Sequence, residues 1–218
     1  MSILLILFIL TKIVRAFRVV SIMAEYIRAF IAVEIPPEIQ ERAGKLIARL
    51  DEAPVKAKWV TPRQLHWTVK FLGEIKLLEV PAVCKAVSAA VEPFTPFDLE
   101  AQGAGAFPSL ERPRTVWIGA GPGAEQMVTL HDAIEEELSK IGFRAEGRRF
   151  RPHLTIGRIR QGGAGLQALA DLLRQNEDYD GGLSTVFEVA ILSSQLTREG
   201  PVYEPLGYAE LKGREDVE

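Results

Sequence analysis

The chain has 218 residues, of which 47% are hydrophobic and 25% charged, and its formal net charge is −3. This length and composition are typical of one globular domain or of two small lobes, and the slight negative charge argues against a protein that coats nucleic acid through bulk positive charge. The single cysteine, Cys84, excludes an intrachain disulfide and a zinc site built from several cysteines, so we expect a cytoplasmic protein.

The first 23 residues differ from the rest of the chain. Residues 3–10 form a strongly apolar run, and basic residues follow it. The run is shorter than the about 20 residues that a bilayer-spanning helix needs. It also lacks the basic segment and the cleavage site of a signal peptide. We interpret residues 1–23 as an extension from a misassigned start, with an interfacial helix as the alternative, and expect no stable membrane association. Residues 24–218 are predicted to form a single domain.

Periodic apolar residues predict strands and helices in alternation. Strands are predicted at residues 26–33, 58–60, 97–105, 115–119, 186–196 and 203–211, besides two that carry the motifs described next. Helices are predicted from Pro36-Pro37 to Ala53-Pro54, over residues 77–91, over residues 124–141, and from Gly162-Gly163 through Arg174. The order strand, helix, motif strand recurs in both halves. This weak duplication predicts an α+β fold of two pseudo-symmetric lobes, each an antiparallel sheet with outer helices, around a cleft.

Two matched tetrads, residues 66–69 and 153–156, contain two of the three histidines of the chain. Each reads His, apolar, Thr, apolar. Since successive side chains of a strand point to opposite faces, each histidine is expected to share a face with the threonine two residues later. In the first motif strand, the same alternation predicts that Lys70 lies with His66 and that Phe71 packs into the core.

Each tetrad therefore offers an imidazole beside a hydroxyl. An imidazole acts as a general acid or base near neutral pH, and a hydroxyl donates a hydrogen bond to an anionic oxygen. Two such pairs across a cleft would form a site for a tetrahedral anion with one acid and one base. This arrangement suits the opening of a cyclic phosphodiester.

The two His-x-Thr-x motifs resemble those of the 2H phosphoesterase superfamily. Within it they are most similar to the RNA 2′,3′-cyclic phosphodiesterases, historically named 2′-5′ RNA ligases. The resemblance covers roughly residues 24–210, and two motifs in this order are far more specific than one. The similar segments are Arg28–Pro36, His66–Gly73, Gly105–Pro108 with Pro113–Trp117, and Arg151–Arg158.

The resemblance implies the bilobal fold and hydrolysis of RNA 2′,3′-cyclic ends to 2′-phosphomonoesters, with His66 as proton donor and His153 as proton acceptor. No cofactor and no metal is expected. The partners would be RNA 3′ ends or small cyclic-phosphate nucleotides, and nothing in the sequence demands more than a monomer. Reversible 2′-5′ ligation at the same site and non-catalytic binding of RNA ends are the alternatives.

Further residues are candidates for substrate contact. Thr68 and Thr155 are expected to bind phosphate, and the resemblance places Arg158 beside them, provided that Gly157 bends the strand and releases strict alternation. Three other residues are candidates for contact with a base or with RNA, namely Phe30, Phe107 and Arg151. The third histidine, His131, is expected to be an exposed helix residue.

Overall fold

The computed structural model describes residues 26–161, 163–198 and 200–213. The predicted extension, residues 1–23, lies outside these residues. No helix in the described ranges has both the length and the apolar character needed to cross a membrane.

Within the described residues, the strands form one antiparallel sheet, in which the order of the strands differs from their order in the sequence. They are β1 (Tyr26–Glu34), β2 (Lys56–Trp59), β3 (His66–Lys76), β4 (Phe97–Phe107), β5 (Thr115–Ala120), β6 (His153–Gln161), β7 (Asp180–Val186), β8 (Glu188–Thr197) and β9 (Gly200–Glu210). The helices are α1 (Pro37–Leu50), α2 (Val80–Val91), α3 (Ala124–Lys140) and α4 (Gly165–Arg174), with one-turn 3₁₀ helices at Pro62–Gln64 and Leu77–Glu79.

The strand order is β7-β4-β5-β6-β3-β1-β8-β9, and β2 pairs with the free edge of β6. All of these pairs are antiparallel. The sheet divides at its centre, because β3 and β6 pair through Trp67 and Leu154 alone among their described residues. One lobe contains β3, β1, β8 and β9, and the other contains the remaining strands. The successions β1–α1–β3 and β5–α3–β6 repeat the predicted order, so the predicted α+β fold with two lobes is confirmed.

The hydrophobic core explains why α1 forms where it does. In α1, proline occupies the first helical position, where a missing N–H costs nothing, and the apolar residues recur at helical spacing. The buried residues of that stripe are Ile39, Ala43, Leu46 and Leu50. They join Trp67 and Leu154 in one large core between the helices and the sheet. A second, small cluster lies apart from it and contains Phe30, Ala32, Ala190 and Leu192, with Tyr203 packed against them.

The structure adds one strand that the sequence pattern did not predict. Strand β7 has the sequence Asp-Gly-Gly-Leu-Ser-Thr-Val, which lacks a run of apolar residues and has the glycines of a turn. It forms because β4 offers a full edge for pairing, from Phe97 opposite Val186 to Gln102 opposite Asp180. Tertiary pairing therefore overrides local preference in this segment.

Candidate active site

The two tetrads meet at the junction between the lobes. Trp67 of β3 pairs with Leu154 of β6. Extending that antiparallel register by one residue on each side sets His66 towards Thr155, and Thr68 towards His153. Among the described residues the two strands pair at no other position, so they diverge on either side of Trp67 and Leu154.

Burial follows the alternation that the sequence predicts for each tetrad. Trp67, Leu154 and Ile156 are fully buried, and Val69 is 3% exposed. The histidines and threonines of both tetrads are half-buried. Both motifs therefore turn their apolar residues into the core and their polar residues to the opposite face of the sheet.

The two imidazoles are held in the same way. His66 Nδ1 lies 2.9 Å from the backbone carbonyl of Gln64, and His153 Nδ1 lies 2.7 Å from that of Arg151. A carbonyl oxygen only accepts hydrogen bonds, so Nδ1 carries the proton in both rings. Among the described residues, neither Nε2 has a hydrogen-bond partner. Each can therefore accept a proton when its ring is neutral and donate one when its ring is charged.

Aromatic rings pack against both histidines. Phe30 lies 4.8 Å from the His66 ring, measured between centroids, and Tyr203 meets the same ring edge-on at 5.3 Å. Phe107 meets His153 edge-on at 5.1 Å. Because Phe30 is only 4% exposed, it supports the imidazole from below and has no open face for a base, so its burial does not support the expected base contact.

Burial lowers the pKa of both histidines. For His66, the lost hydration of the charged ring is the largest cause, and the hydrogen bond to Gln64 works against it. For His153, burial again dominates, the Arg151 carbonyl opposes it, and the positive charge of Arg158 lowers the pKa further. Arg158 also works against the burial-driven rise in the pKa of Tyr203. Its charge therefore reaches the surroundings of both rings.

A β-bulge brings Arg158 to the histidine face. On β6, Thr155 pairs with Trp117 and Gly157 with Val116, so Ile156 is an extra residue in its strand. The extra residue reverses the alternation after it. Arg158 is exposed, and its guanidinium lies 3.4 Å from the Thr115 hydroxyl on the neighbouring strand.

Strand β3 has the same bulge at the same distance from its histidine. Thr68 pairs with Ala32 and Lys70 with Ile31, so Val69 is the extra residue. The expectation that Lys70 lies beside His66 and that Phe71 is in the core was therefore wrong. Lys70 is 2% exposed and points inward, whereas Phe71 is 63% exposed.

The bulges make Phe71 the counterpart of Arg158. Phe71 pairs with Phe30 across the strands, as Arg158 pairs with Thr115, and the Phe30 and Phe71 rings are 6.2 Å apart. Periodicity did not indicate Phe71 as a candidate site residue, although aligning the two tetrads places it five residues after His66, as Arg158 is after His153. No local signal pointed to Tyr203.

The remaining candidates lie at the margins of the site. The Arg151 side chain is exposed, and the Arg151 backbone carbonyl accepts the hydrogen bond from His153. His131 was expected to be exposed, but it is 5% exposed, because its ring is stacked on Phe150.

A cavity of about 340 Å³ adjoins His66, with Arg63, Gln64 and Tyr203 in its wall. In the described part of the chain, His, Cys, Asp and Glu side chains do not gather into a group of three suited to a metal ion.

The fold and this pair of motifs are those of a two-histidine phosphoesterase. The profile of the family described as LigT like Phosphoesterase matches the chain twice, over residues 33–117 and 118–203. The two matches agree with the duplication of strand, helix and motif. The chain belongs to the LigT-like phosphoesterase family, a member of the 2H phosphoesterase superfamily, as the sequence resemblance predicted.

Similar proteins include two archaeal relatives, each named RNA 2′,3′-cyclic phosphodiesterase. That of Methanothermobacter thermautotrophicus is 32% identical over 177 residues, which cover 81% of this chain and 95% of the relative. That of Aeropyrum pernix is 36% identical over 165 residues, which cover 76% and 92%.

Solved structures share the fold at lower identity. The protein TT0787 of Thermus thermophilus is 24% identical with a TM-score of 0.72, and the match covers 86% of this chain and all of that one. E. coli LigT complexed with 3′-AMP is also 24% identical, with a TM-score of 0.69 and coverage of 86% and 99%.

Proposed function

We propose that the protein hydrolyses the 2′,3′-cyclic phosphate at RNA 3′ ends to a 2′-phosphomonoester, with His153 as general base and His66 as general acid. The observation that carries this proposal is the matched anchoring of the two rings. Each Nδ1 donates to the carbonyl two residues earlier, which leaves two Nε2 atoms on the face where the motif strands diverge. The activity named for the archaeal relatives supports the same reaction.

The proposed reaction is an in-line displacement at phosphorus. Neutral His153 accepts a proton at Nε2 from a water molecule as the water oxygen bonds to phosphorus. The bond from phosphorus to the ribose 3′-oxygen breaks, and charged His66 gives its Nε2 proton to that oxygen. The product carries a 2′-phosphate and a 3′-hydroxyl, and proton exchange with solvent restores both rings.

Thr68, Thr155 and Arg158 are proposed to hold the non-bridging oxygens. The threonine hydroxyls share the histidine face, and the bulge at Ile156 turns the guanidinium to that face. Donors that are fixed before the reaction stabilise the negative charge that develops on these oxygens. A guanidinium is suited to this task because its planar N–H groups match two phosphate oxygens at once.

The electrostatics support the division of roles between the histidines. Arg158 lowers the pKa of His153, which favours the neutral ring that a base requires. His66 must be charged to act as acid, although its burial opposes this. A bound phosphodiester brings a negative charge between the rings and raises both pKa values, so substrate binding itself favours protonation of His66.

The proposed role of His66 as general acid also indicates where the nucleoside would lie. Since His66 protonates the ribose oxygen, the ribose would lie on its side of the phosphate, next to the cavity that Arg63 and Tyr203 line. Phe71, 63% exposed on the same strand, would offer a face for a base, with Phe107 and Arg151 as further contacts. We also propose a monomer, because every group named here comes from one chain, and a cytoplasmic location, because the single cysteine suits a reducing compartment.

A single assay separates the candidate activities. The full chain is incubated with an RNA oligonucleotide that ends in a 2′,3′-cyclic phosphate, together with a 5′-hydroxyl oligonucleotide, and the products are identified by mass. Conversion to a phosphatase-sensitive monoester that co-elutes with a 2′-phosphate standard, and not with the 3′-phosphate isomer of equal mass, supports the proposed hydrolysis. Joined oligonucleotide as the main product would instead establish ligation, and unchanged RNA bound to the protein would indicate a non-catalytic binder.

A further inference from the structure

The segment between α3 and β6 carries the carbonyl that orients His153. Residues 141–152 have no regular secondary structure. Even so, the Arg151 carbonyl in this segment stays 2.7 Å from His153 Nδ1. Contacts outside the segment must therefore hold its backbone in place.

Lys70 supplies one of these contacts. The bulge at Val69 turns its side chain to the face opposite the histidines, where it is 2% exposed. Its ammonium group donates to the carboxylate of Glu135 on α3, and also to the backbone carbonyl of Arg144 at 3.1 Å. The second carboxylate oxygen of Glu135 accepts from the backbone N–H of Glu146 at 3.3 Å. The buried pair thus ties the segment at two points.

A ring stack holds the other end of the segment. Phe150, the residue before Arg151, lies face to face with His131 of α3 at 4.1 Å, with an angle of 1° between the rings. His131 is 5% exposed and is itself held by Asp132, whose carboxylate lies 2.8 Å from Nδ1. The stack therefore fixes the backbone one residue before the carbonyl that His153 contacts.

We propose that Lys70, Glu135 and Phe150 are positioning residues for His153. Together they fix the Arg151 carbonyl, and this carbonyl holds the proton of His153 on Nδ1 and leaves Nε2 free to accept. This inference rests on the proposed role of His153 as base. It also means that the first motif strand, through Lys70, helps to orient the histidine of the second.

His66 is anchored independently, which makes the proposal specific. Its carbonyl partner, Gln64, belongs to the 3₁₀ helix Pro62–Gln64, and the Gln64 side chain donates to the carbonyl of Pro201 at 2.6 Å. None of these contacts involves the segment before β6. Loosening that segment should therefore disturb one imidazole and leave the other unchanged.

The test uses two measurements. Long-range ¹H–¹⁵N NMR determines the tautomer of each histidine ring, and steady-state kinetics on a cyclic-phosphate dinucleotide gives kcat and KM. The variants are Phe150→Ala and the double variant Lys70→Met/Glu135→Leu, which leaves no unpaired buried charge. Lys140→Met is the matched control, since Lys140 lies on the same helix and pairs with Glu137 at the surface. Thermal melts establish that each protein is folded.

In both variants we expect the His153 signals to lose the Nδ1–H tautomer as the main form, while the His66 signals stay as in the wild type. We expect kcat to fall about tenfold to hundredfold with KM within about twofold, because misplacing a catalytic group affects the chemical step. Lys140→Met should leave both measurements unchanged.

Two results would overturn the proposal: an unchanged His153 tautomer in the folded variants, or equal changes at both histidines. The NMR comparison needs no turnover. If the wild type did not hydrolyse the dinucleotide, the proposed function would fail, while the tautomers would still decide whether these residues position His153.

Discussion

Trp67 and Leu154 pair at the centre of the sheet and are both fully buried, so the two lobes join directly beneath the two histidine motifs. His66 directly precedes Trp67 in the sequence, and His153 directly precedes Leu154. Extending the antiparallel register of this one pair sets each histidine of one lobe towards the threonine of the other. In each tetrad, the two apolar side chains therefore belong to the core that joins the lobes, and the histidine and threonine belong to the candidate site on the opposite face.

The proposed acid and base should each be essential. We expect His66→Ala and His153→Ala to lower kcat by at least about 10²–10⁴-fold, since each removes one proton-transfer group. Rates are measured on an oligonucleotide with a 2′,3′-cyclic phosphate, and circular dichroism checks the fold. Turnover near the wild-type rate in either folded variant would rule out the two-histidine mechanism.

Arg158 should influence the pH at which His153 becomes neutral. Its positive charge lowers the pKa of His153, so Arg158→Met should raise that pKa and move the acidic limb of the kcat/KM profile to higher pH. Arg158→Lys keeps the charge and should leave the limb near its wild-type position, although it loses the planar donor geometry and binds phosphate less well. Identical acidic limbs in the wild type and the methionine variant would contradict this electrostatic role.

Stability should fall as the solution becomes acidic through the range in which the histidines titrate. Burial lowers the folded-state pKa of both rings below the ordinary value of 6.5, so the unfolded chain takes up protons first. The free energy of unfolding is then highest above pH 6.5 and decreases as pH drops from there to the folded-state values. Urea denaturation at several pH values measures this decrease.

The double variant His66→Gln/His153→Gln is the control for that pH dependence. Glutamine does not titrate, so its unfolding free energy should change less between neutral and mildly acidic pH than that of the wild type. An equally steep decrease in the variant would assign the effect to other groups.

Phe71 should contribute to substrate binding rather than to folding. Its ring is 63% exposed, and stacking on a base is worth about 1–3 kcal/mol, so we expect Phe71→Ala to raise KM about tenfold with little change in kcat or melting temperature. Leu183→Ala is the matched control, because Leu183 is 54% exposed on β7 at the far edge of the sheet. An equal KM for wild type and Phe71→Ala would exclude the stacking role.

Substitutions of Trp67, which pairs with Leu154 at the lobe junction, should lower the stability of the fold strongly. Trp67 is fully buried between the motif strands and the helices, so Trp67→Ala should lower the free energy of unfolding by about 3–5 kcal/mol. Trp67→Phe should cost less, because phenylalanine fills most of the space and the substitution removes an indole N–H that finds no hydrogen-bond partner within the described ranges. Denaturant unfolding of the two variants tests this order.

Local pattern was sufficient for much of the architecture. The apolar stripe of α1 and the alternation within each tetrad depend on neighbouring residues only, so both could be read from the order of side chains. Strand β7 could not, because its glycines and polar residues adopt a strand only when β4 provides the pairing edge. His131 was misjudged for a similar reason, since Phe150 in the irregular segment after the helix folds back and covers it.

The sequence by itself determined that two histidine–threonine pairs lie on strands, with apolar partners on the opposite face, because period-two alternation is a property of the extended backbone. Only the tertiary structure decided which of the residues after each tetrad are buried and which are exposed. An extra residue at Val69 and at Ile156 reverses the alternation, which buries Lys70 and exposes Phe71 and Arg158. A bulge is defined by the pairing of one strand with its neighbour, so its position is absent from the periodicity of either strand alone.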